Sequence, residues 1–402
     1  MGRSAAAPRR EALVDAIRRR VATEVVALAD VDAVVRFDGG PGAQAVVELK
    51  RGLVSVVDTA TDVTTTISAD PVTLLDVVEG RTSGVEAFLD GRLRVDGDLS
   101  LSLRLDGVFS GSDDAPRPAR FPRAAMVRAG RVRTFSLEAG PPDAPPVVML
   151  HGLGATNASL LPTLWDLATD YRVLAPDLPG HGASSAPIAR YDARFFARWL
   201  AAYLDAMGID RCVLLGNSLG GRISLEIALL EPDRVSALVL LAPAVAFRRL
   251  RQFVPLVRLL RPEAAALPLP MTRGMARATL RAMFSRASRL TPQSYDAAAG
   301  EFVRVYKRAP YRIAFFASLR QIYLDDAFGE QRGFWSRLPT LQPPALFIWG
   351  ARDRLVPAGF ARHVVEAVPR ARSIVFEDCG HVPQFELPER THREVRAFLR
   401  SL

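Results

Sequence analysis

The sequence predicts a two-domain α/β chain: a small α+β domain, then a doubly wound, mostly parallel sheet carrying a helical cap. Three observations predict it. From Pro146 onward, apolar runs of strand length alternate with loops and helix-period segments, the rhythm of a parallel sheet with right-handed crossovers. One such run, Val213–Leu215, stops at Gly216-Asn217-Ser218-Leu219-Gly220 and gives way to a helical pattern at Ile223, Leu225, Ile227, Ala228 and Leu229. Ahead of Pro146 the composition differs: Val21–Ser112 holds 7 Arg/Lys against 15 Asp/Glu, a net charge of −8, in a chain whose net charge is +9.

With 402 residues and 49% apolar content, the chain is long enough for two cores. Its longest apolar runs are strand-length, so no transmembrane helix is expected. The Arg-rich stretch Met1–Arg20 has no apolar h-region, so it is not a secretory signal, and the myristoylation pattern fails at its sixth position. Only two cysteines are present, Cys212 and Cys379. They fall at opposite ends of a parallel sheet, so they are expected to be unpaired and buried, which suits a reducing, cytoplasmic location. The positive charge is local. Phe247–Arg337 holds 17 Arg/Lys against 6 Asp/Glu, a net of +11, and apart from Lys50 and Lys307 the basic residues are all arginine. An Arg- and Ala-rich bias fits a GC-rich genome as well as selection for charge, and no nucleic-acid partner is expected.

The elements follow in order. Arg10–Ala29 reads as an amphipathic helix on Leu13, Ile17, Val21 and Val25. Val31–Phe37, Ala45–Lys50 and Leu53–Thr59 read as strands, with Arg51-Gly52 turning between the last two. Thr64–Ser68 is another β-branched run. Asp70 and Pro71 open a helix as N-cap and first residue; Leu74, Leu75, Val77 and Val78 form its apolar face, and Gly80 ends it. Val85–Leu89 is a short helix and Arg92–Val95 a strand. Leu99–Leu105 alternates, and fits either a helix or a strand. The phrases V-E-L-K-R-G-L-V-S-V, T-T-I-S-A-D-P-V-T-L-L-D-V-V-E-G and F-L-D-G-R-L-R-V-D-G-D-L-S-L resemble the sterol carrier protein 2 (SCP2) family over roughly Val21–Phe109. That resemblance implies a five-stranded α+β domain with an apolar tunnel for fatty acyl or sterol-like ligands.

Proline-dense segments follow: Pro116 and Pro118, Pro122, Pro141-Pro142 and Pro145-Pro146. Proline at this density stiffens a spacer. The expected division is 1–112 for the SCP2-like domain, 113–124 for the linker and 125–402 for the second domain. Ala125–Ala139 supplies the second domain's first edge strands. Strands are then expected at Val147–Leu150, Tyr171–Ala175, Cys212–Leu215, Val235–Leu241, Ala345–Trp349 and Arg372–Phe376. Helices are expected at Leu160–Ala168, Tyr191–Met207, Ala358–Val368 and Pro388–Leu402.

In such a sheet, chemistry sits at the carboxyl ends of the strands. G-x-S-x-G between a strand and a helix marks Ser218 as a nucleophile raised on a strained turn. A serine hydroxyl needs a base, and the base needs an orienting carboxylate. Of five histidines, His363 and His392 fall in helices, and His151 and His181 in glycine-rich loops. His381 alone follows the last strand. Asp353 follows the strand before it. Asp233 is a competitor for the acid, but it precedes its strand and so lies at the wrong end. The motifs H-G-L-G, D-L-P-G-H-G, G-N-S-L-G-G, G-A-R-D-R-L-V-P and G-H-V-P-Q-F-E-L-P-E together resemble the α/β-hydrolase superfamily. The resemblance implies Ser218 as nucleophile, His381 as base and Asp353 as its acid, with the backbone N–H groups of Leu153 and Leu219 as oxyanion hole. It gives His151, Asp177 and His181 loop-shaping roles.

Serine at this point excludes the aspartate and cysteine nucleophiles that some superfamily members use. Ester hydrolysis through an acyl-enzyme is the expected reaction, on a lipidic, acyl or sterol-like ester. The G-N-S-L-G-G wording also resembles the meta-cleavage C–C bond hydrolases, which carry tryptophan after the catalytic histidine; here Val382 stands there. A non-catalytic lipid carrier or scaffold is a further alternative. The cap is expected over about 247–337, helical, on Leu256, Leu259 and Leu260, Met271, Met275, Leu280, Met283 and Phe284, then Ile313, Phe315, Phe316, Leu319 and Ile322. Its interleaved arginines are either a solvated face or a transient contact with an anionic membrane surface. No metal-ligand cluster and no phosphate-binding glycine loop is present, so no cofactor is expected.

Overall fold

The computed structural model describes residues 10–21, 28–109, 118–244, 270–285, 292–322 and 333–402. They fall into two units, Met1–Ala125 with Leu137–Gly140, and Met126–Ser136 with Pro141–Leu402.

The first unit is built on strands β1 (Asp32–Asp38), β2 (Gln44–Lys50), β3 (Leu53–Val57), β4 (Thr65–Ala69) and β5 (Leu93–Gly97), in the sheet order β3-β2-β1-β4-β5. Neighbours are antiparallel except β1 and β4, which run parallel at the centre. Arg51 and Gly52 both have positive φ, 48° and 87°, the left-handed pair that lets a two-residue hairpin follow the strand twist. Helix α1 (Arg10–Arg20) buries Leu13, Val14, Ala16 and Ile17. The expected helix ran to Ala29; Val21, Leu28 and Ala29 are not α-helical, and residues 22–27 lie outside the described residues. Asp70 caps α2 (Pro71–Val78) by accepting from the N–H groups of Val72 and Thr73 at 3.1 and 3.0 Å. Helix α3 spans Gly84–Leu89. The ambiguous run after Gly97 is a helix, α4 (Leu99–Phe109), started by Asp98 Oδ1 accepting from Leu101 N–H at 3.0 Å. One core of Leu, Val, Ile and Phe side chains ties α1, α2, α4 and the sheet together.

The second sheet holds β6 (Arg123–Ala129), β7 (Val132–Ala139), β8 (Pro146–Leu150), β9 (Arg172–Pro176), β10 (Cys212–Asn217), β11 (Val235–Leu241), β12 (Ala345–Gly350) and β13 (Arg372–Phe376). Their sheet order is β13-β12-β11-β10-β8-β9-β7-β6. The pairs from β9 to β13 are parallel. Two corrections to the expected bounds have local causes. Helix α5 spans Leu161–Leu167, and Asp192 caps the next, α6 (Ala193–Ala206), through Phe195 N–H (2.7 Å), so α6 begins at Ala193 rather than Tyr191. The final helix starts at Pro388 as expected but ends at Leu399 rather than Leu402, and a proline-started short helix, Pro383–Glu386, precedes it. The order reverses at β8, whose neighbours are β9 on one side and β10 on the other. This is the switch point at which open α/β sheets leave a crevice. His392 packs the final helix by bonding Thr163 Oγ1 through Nε2 at 3.1 Å.

Between β11 and β12 lie the cap helices Arg273–Met283, Pro292–Tyr306, Ala309–Arg320 and Phe334–Arg337. The expected cap start at Phe247, with Leu256, Leu259 and Leu260, lies outside the described residues. Among those described, Arg277 pairs with Asp296 (2.9 Å), Arg304 with Glu301 (2.6 Å), and buried Arg312 donates to the carbonyls of Tyr306 and Lys307. These three arginines are committed to the cap's own structure. Among the described residues, no helix is long and apolar enough to cross a membrane.

Candidate active site

The strand β10 is buried along its whole length, and at its end the chain has no room to spare. A Cβ on Gly216 would sit 2.5 Å from the backbone of Gly220, and one on Gly220 would sit 2.1 Å from Leu150 O. Between these glycines Ser218 adopts φ 52° and ψ −112°. A non-glycine residue there costs about 1–3 kcal/mol, and surrounding bonds must hold it. They do: Ser218 N–H donates to Leu241 O (3.0 Å), and Ser218 O accepts from Ala244 N–H (2.9 Å) and Arg222 N–H (3.1 Å). Helix α7 (Leu219–Leu230) starts immediately after it, so the serine side chain stands at a helix N-terminus. Gly220→Ala is expected to cost about 3 kcal/mol, the upper end for overpacking, and to lower Tm by about 6–12 °C. An unchanged melting temperature would show that the approach to Leu150 is not as close as described.

Asp353 and His381 lie in the turns after β12 and β13. His381 Nδ1–H donates to Asp353 Oδ2 at 2.7 Å. The other carboxylate oxygen, Oδ1, accepts from the N–H groups of Leu355 (2.8 Å) and Val356 (2.9 Å). The carboxylate is thereby fixed from both sides, and the imidazole presents Nε2 as an acceptor. Ser218, Asp353 and His381 are 4%, 6% and 3% exposed, so water is largely excluded around all three. Asn217, which sequence reasoning passed over, joins the two arms: its Nδ2 donates to Leu241 O (3.0 Å) and to His381 O (3.2 Å). Its place inside G-N-S-L-G was the available signal.

The loop after β8 runs beside the serine; a Cβ on Gly152 would lie 3.4 Å from Ser218 Cβ. Leu153 follows in that loop, and Leu219 opens α7. His151, Asp177 and His181 form the floor beneath. His151 accepts from Leu178 N–H through Nε2 (3.0 Å), and its Nδ1–H donates to Gly152 O (2.8 Å). Burial drives its pKa down to about 3, with His181 adding to the effect. It is therefore neutral, and its 3.8 Å approach to Asp177 is not an ion pair. Burial also drives His181 down to about 4 and Asp177 up to about 7, the latter against N–H bonds from Asn157 and Ala183. His151 and Asp177 are held in these loop bonds, and His181 Nδ1 bonds Pro179 O at 3.1 Å. Asp233 is exposed in Pro232–Arg234, at the opposite end of β11 from Ser218. His363 contacts its neighbour Glu366 on a surface helix. Cys212 and Cys379 are both free and buried, and burial raises both thiol pKa values, so neither is a nucleophile.

A crevice opens where Gly154–Thr156 and Gly180–His181 meet the cap, lined there by Phe302, Tyr306, Tyr311 and Phe315. Tyr311 Oη anchors its helix by donating to Ser184 O at 2.8 Å. On its cap side the crevice is walled by aromatic rings. Among the described residues, no cluster of three His, Cys, Asp or Glu is placed to hold a metal ion.

Comparison with known proteins finds relatives of this chain. A family model described as alpha/beta hydrolase fold matches residues 145–388, and one described as SCP-2 sterol transfer family matches residues 15–110. The dihydrolipoyllysine-residue acetyltransferase component of the acetoin cleaving system of Pseudomonas putida is 32% identical over 296 residues, 72% of this chain and 72% of the relative. A 2-hydroxy-6-oxononadienedioate/2-hydroxy-6-oxononatrienedioate hydrolase of Burkholderia vietnamiensis is 34% identical over 266 residues, 63% of this chain and 86% of the relative. Among solved structures, a membrane phospholipase A described as a bacterial virulence factor superposes with a TM-score of 0.61 at 28% identity, covering 82% of this chain and 96% of that one. Carboxylesterase CesB from Bacillus subtilis shares the fold, with a TM-score of 0.55 at 22% identity over 75% of this chain and 95% of that one.

Proposed function

Because the chain belongs to the alpha/beta hydrolase fold family, with an SCP-2 sterol transfer family domain ahead of the hydrolase fold, we propose that this hydrolase cleaves carboxylic esters of apolar, lipid-like substrates through an acyl-enzyme on Ser218. The observation that carries the reading is the 2.7 Å bond from His381 Nδ1 to Asp353, beside a serine held at φ 52°. In this reading Ser218 Oγ attacks the ester carbonyl carbon while its proton passes to His381 Nε2. The carbonyl oxygen becomes an oxyanion and receives the N–H groups of Leu219 and Leu153. His381 then gives the proton to the alkoxy oxygen, the C–O bond breaks, and the alcohol leaves. Water repeats the sequence on the acyl-enzyme and releases the carboxylic acid and free serine. Asp353 keeps its charge throughout and stabilises the imidazolium.

The lipid preference rests on the aromatic crevice beneath the cap and on the SCP-2 type domain, whose relatives transfer sterols by their family name. A p-nitrophenyl ester series from acetyl to palmitoyl, with Ser218→Ala as control, tests the reaction. Cleavage that rises with acyl length is expected, together with labelling of Ser218 by a fluorophosphonate. If no ester is cleaved above the rate of the control, ester hydrolysis is wrong. Fluorescent fatty-acid binding without labelling would then favour an idle fold used as a lipid carrier.

A second reading, C–C bond hydrolysis of a 2-hydroxy-6-oxodienoate, is favoured by the Burkholderia relative at 34% identity. Val382, buried after His381, weighs against it. Faster turnover of such a dienoate than of any ester, followed by loss of its visible absorbance, would reverse the order of the two readings.

A further inference from the structure

Glu386 is a fully buried carboxylate that the acyl-transfer steps do not use. Its Oε2 accepts from Ser285 N–H (2.7 Å) and Gly380 N–H (3.0 Å), and its Oε1 from Val382 N–H (3.1 Å). Two of these donors flank His381. The third stands just past the cap helix Arg273–Met283. Two more bonds run between the same segments: His381 N–H donates to Met283 O (3.1 Å), and Ser285 Oγ–H donates to Asp378 O (2.7 Å). The backbones approach closely at this point. A Cβ on Gly380 would lie 2.6 Å from Met283 O and 2.9 Å from both Ser285 N and Glu386 Oε1.

A carboxylate is retained in such a place only when its lone pairs are met, and here backbone N–H groups meet them with charge-assisted bonds. Asp353 fixes the orientation of the His381 ring. It does not fix the backbone that carries the ring; that backbone is held by Glu386, by the end of the cap helix and, at its carbonyl, by Asn217 Nδ2. We propose that Glu386 is a positioning residue that makes the alignment of His381 conditional on the seating of cap segment Thr272–Ser285. Cap docking and base alignment are then one event. The inference rests on the reading of His381 as the base, since an error of about 1 Å in a catalytic group can cost about 10²-fold in rate.

The test uses the whole chain and three variants. Ser285→Pro deletes the N–H that Glu386 accepts, and Phe284 already has ψ 152°, the extended geometry a following proline prefers. Ser285→Ala deletes only the hydroxyl, and Glu386→Gln deletes the charge. Hydrogen exchange in the peptide covering residues 378–386 is read first, then kcat and KM on p-nitrophenyl butyrate. Ser285→Pro and Glu386→Gln are each expected to speed exchange by about 10-fold or more. Each is expected to lower kcat by about 10–100-fold with KM changed less than about 3-fold. Because both loosen the same anchorage around Glu386, their combination should lose less than the product of the single losses, and Ser285→Ala should lose least. Wild-type exchange and kcat in Ser285→Pro would overturn the proposal, as would a double variant losing the product of the single losses. Absence of ester turnover and labelling in the wild type would overturn the base reading alone; the exchange measurement still decides the coupling.

Discussion

Ser218→Ala is expected to lower kcat on p-nitrophenyl butyrate by about 10⁵–10⁶-fold, the loss seen when a triad serine is removed as part of one catalytic unit. KM should stay within about 3-fold, because the substitution removes only a hydroxyl and leaves the surrounding backbone in place. The melting temperature should also hold. Alanine at φ 52° is as strained as serine, and the bonds securing this position come from the backbone of residue 218, not from its hydroxyl. Steady-state kinetics and thermal melts of the two proteins check this. Retention of more than about 1% of activity would remove Ser218 from the chemistry, since hydrogen-bond donors and binding alone account for a residual only about 10³–10⁴ above the uncatalysed rate.

Asp353→Asn should cost about 10⁴-fold in kcat, and the reason is a tautomer. Oδ1 of Asp353 is held by two backbone donors, Leu355 N–H and Val356 N–H. The carbonyl oxygen of an asparagine would stay with those donors, which obliges its NH₂ to face His381 Nδ1. Nδ1 must then accept, Nε2 must carry the proton, and the base can no longer take one from Ser218. Shape and packing are conserved, so the variant should melt within a few degrees of the wild type and bind substrate normally. A variant retaining more than about a tenth of the wild-type kcat would show that His381 does not depend on this carboxylate.

Legibility in the sequence followed how local the physics is. The turn at Ser218 was readable because the crowding of Gly216 against Gly220 is set within five residues; that of Gly220 against Leu150 required the fold. Asp70 and Pro71 announced their helix for the same reason. The run Leu99–Leu105 did not declare itself, because α4 is buried from Leu99 through Asp106 and again at Phe109. A helix enclosed on nearly every side has no polar stripe, and its alternation of leucine with serine and arginine reads equally as a strand. Glu386 was invisible in its role because its partners are N–H groups, which carry no side-chain signature, and one belongs to Ser285, far away in sequence. The cluster of buried Arg222 and Glu226 with half-buried Arg337 was missed similarly. Its i,i+4 half at 2.8 Å was open to reading, but the bond from Arg337 at 2.8 Å required the fold.

The position of the cap, between β11 and β12, bears on how the chain reaches this structure. These strands are hydrogen-bonded neighbours, Leu238 against Ala345 and Leu241 against Ile348, yet residues 242–344 separate them. Closing that excursion instead of one of about ten residues costs only about 2 kcal/mol of chain entropy, because the penalty grows with the logarithm of length. Thermodynamically, then, the sheet is nearly indifferent to how much chain is spliced in at this junction, and cap segments can be lengthened, shortened or exchanged with little effect on its stability. The burden falls on kinetics. The β11–β12 pair is a high-contact-order closure, so the half of the sheet bearing Asp353 and His381 should dock onto the β8–β11 half late in folding, after the strand that delivers Ser218 is in place.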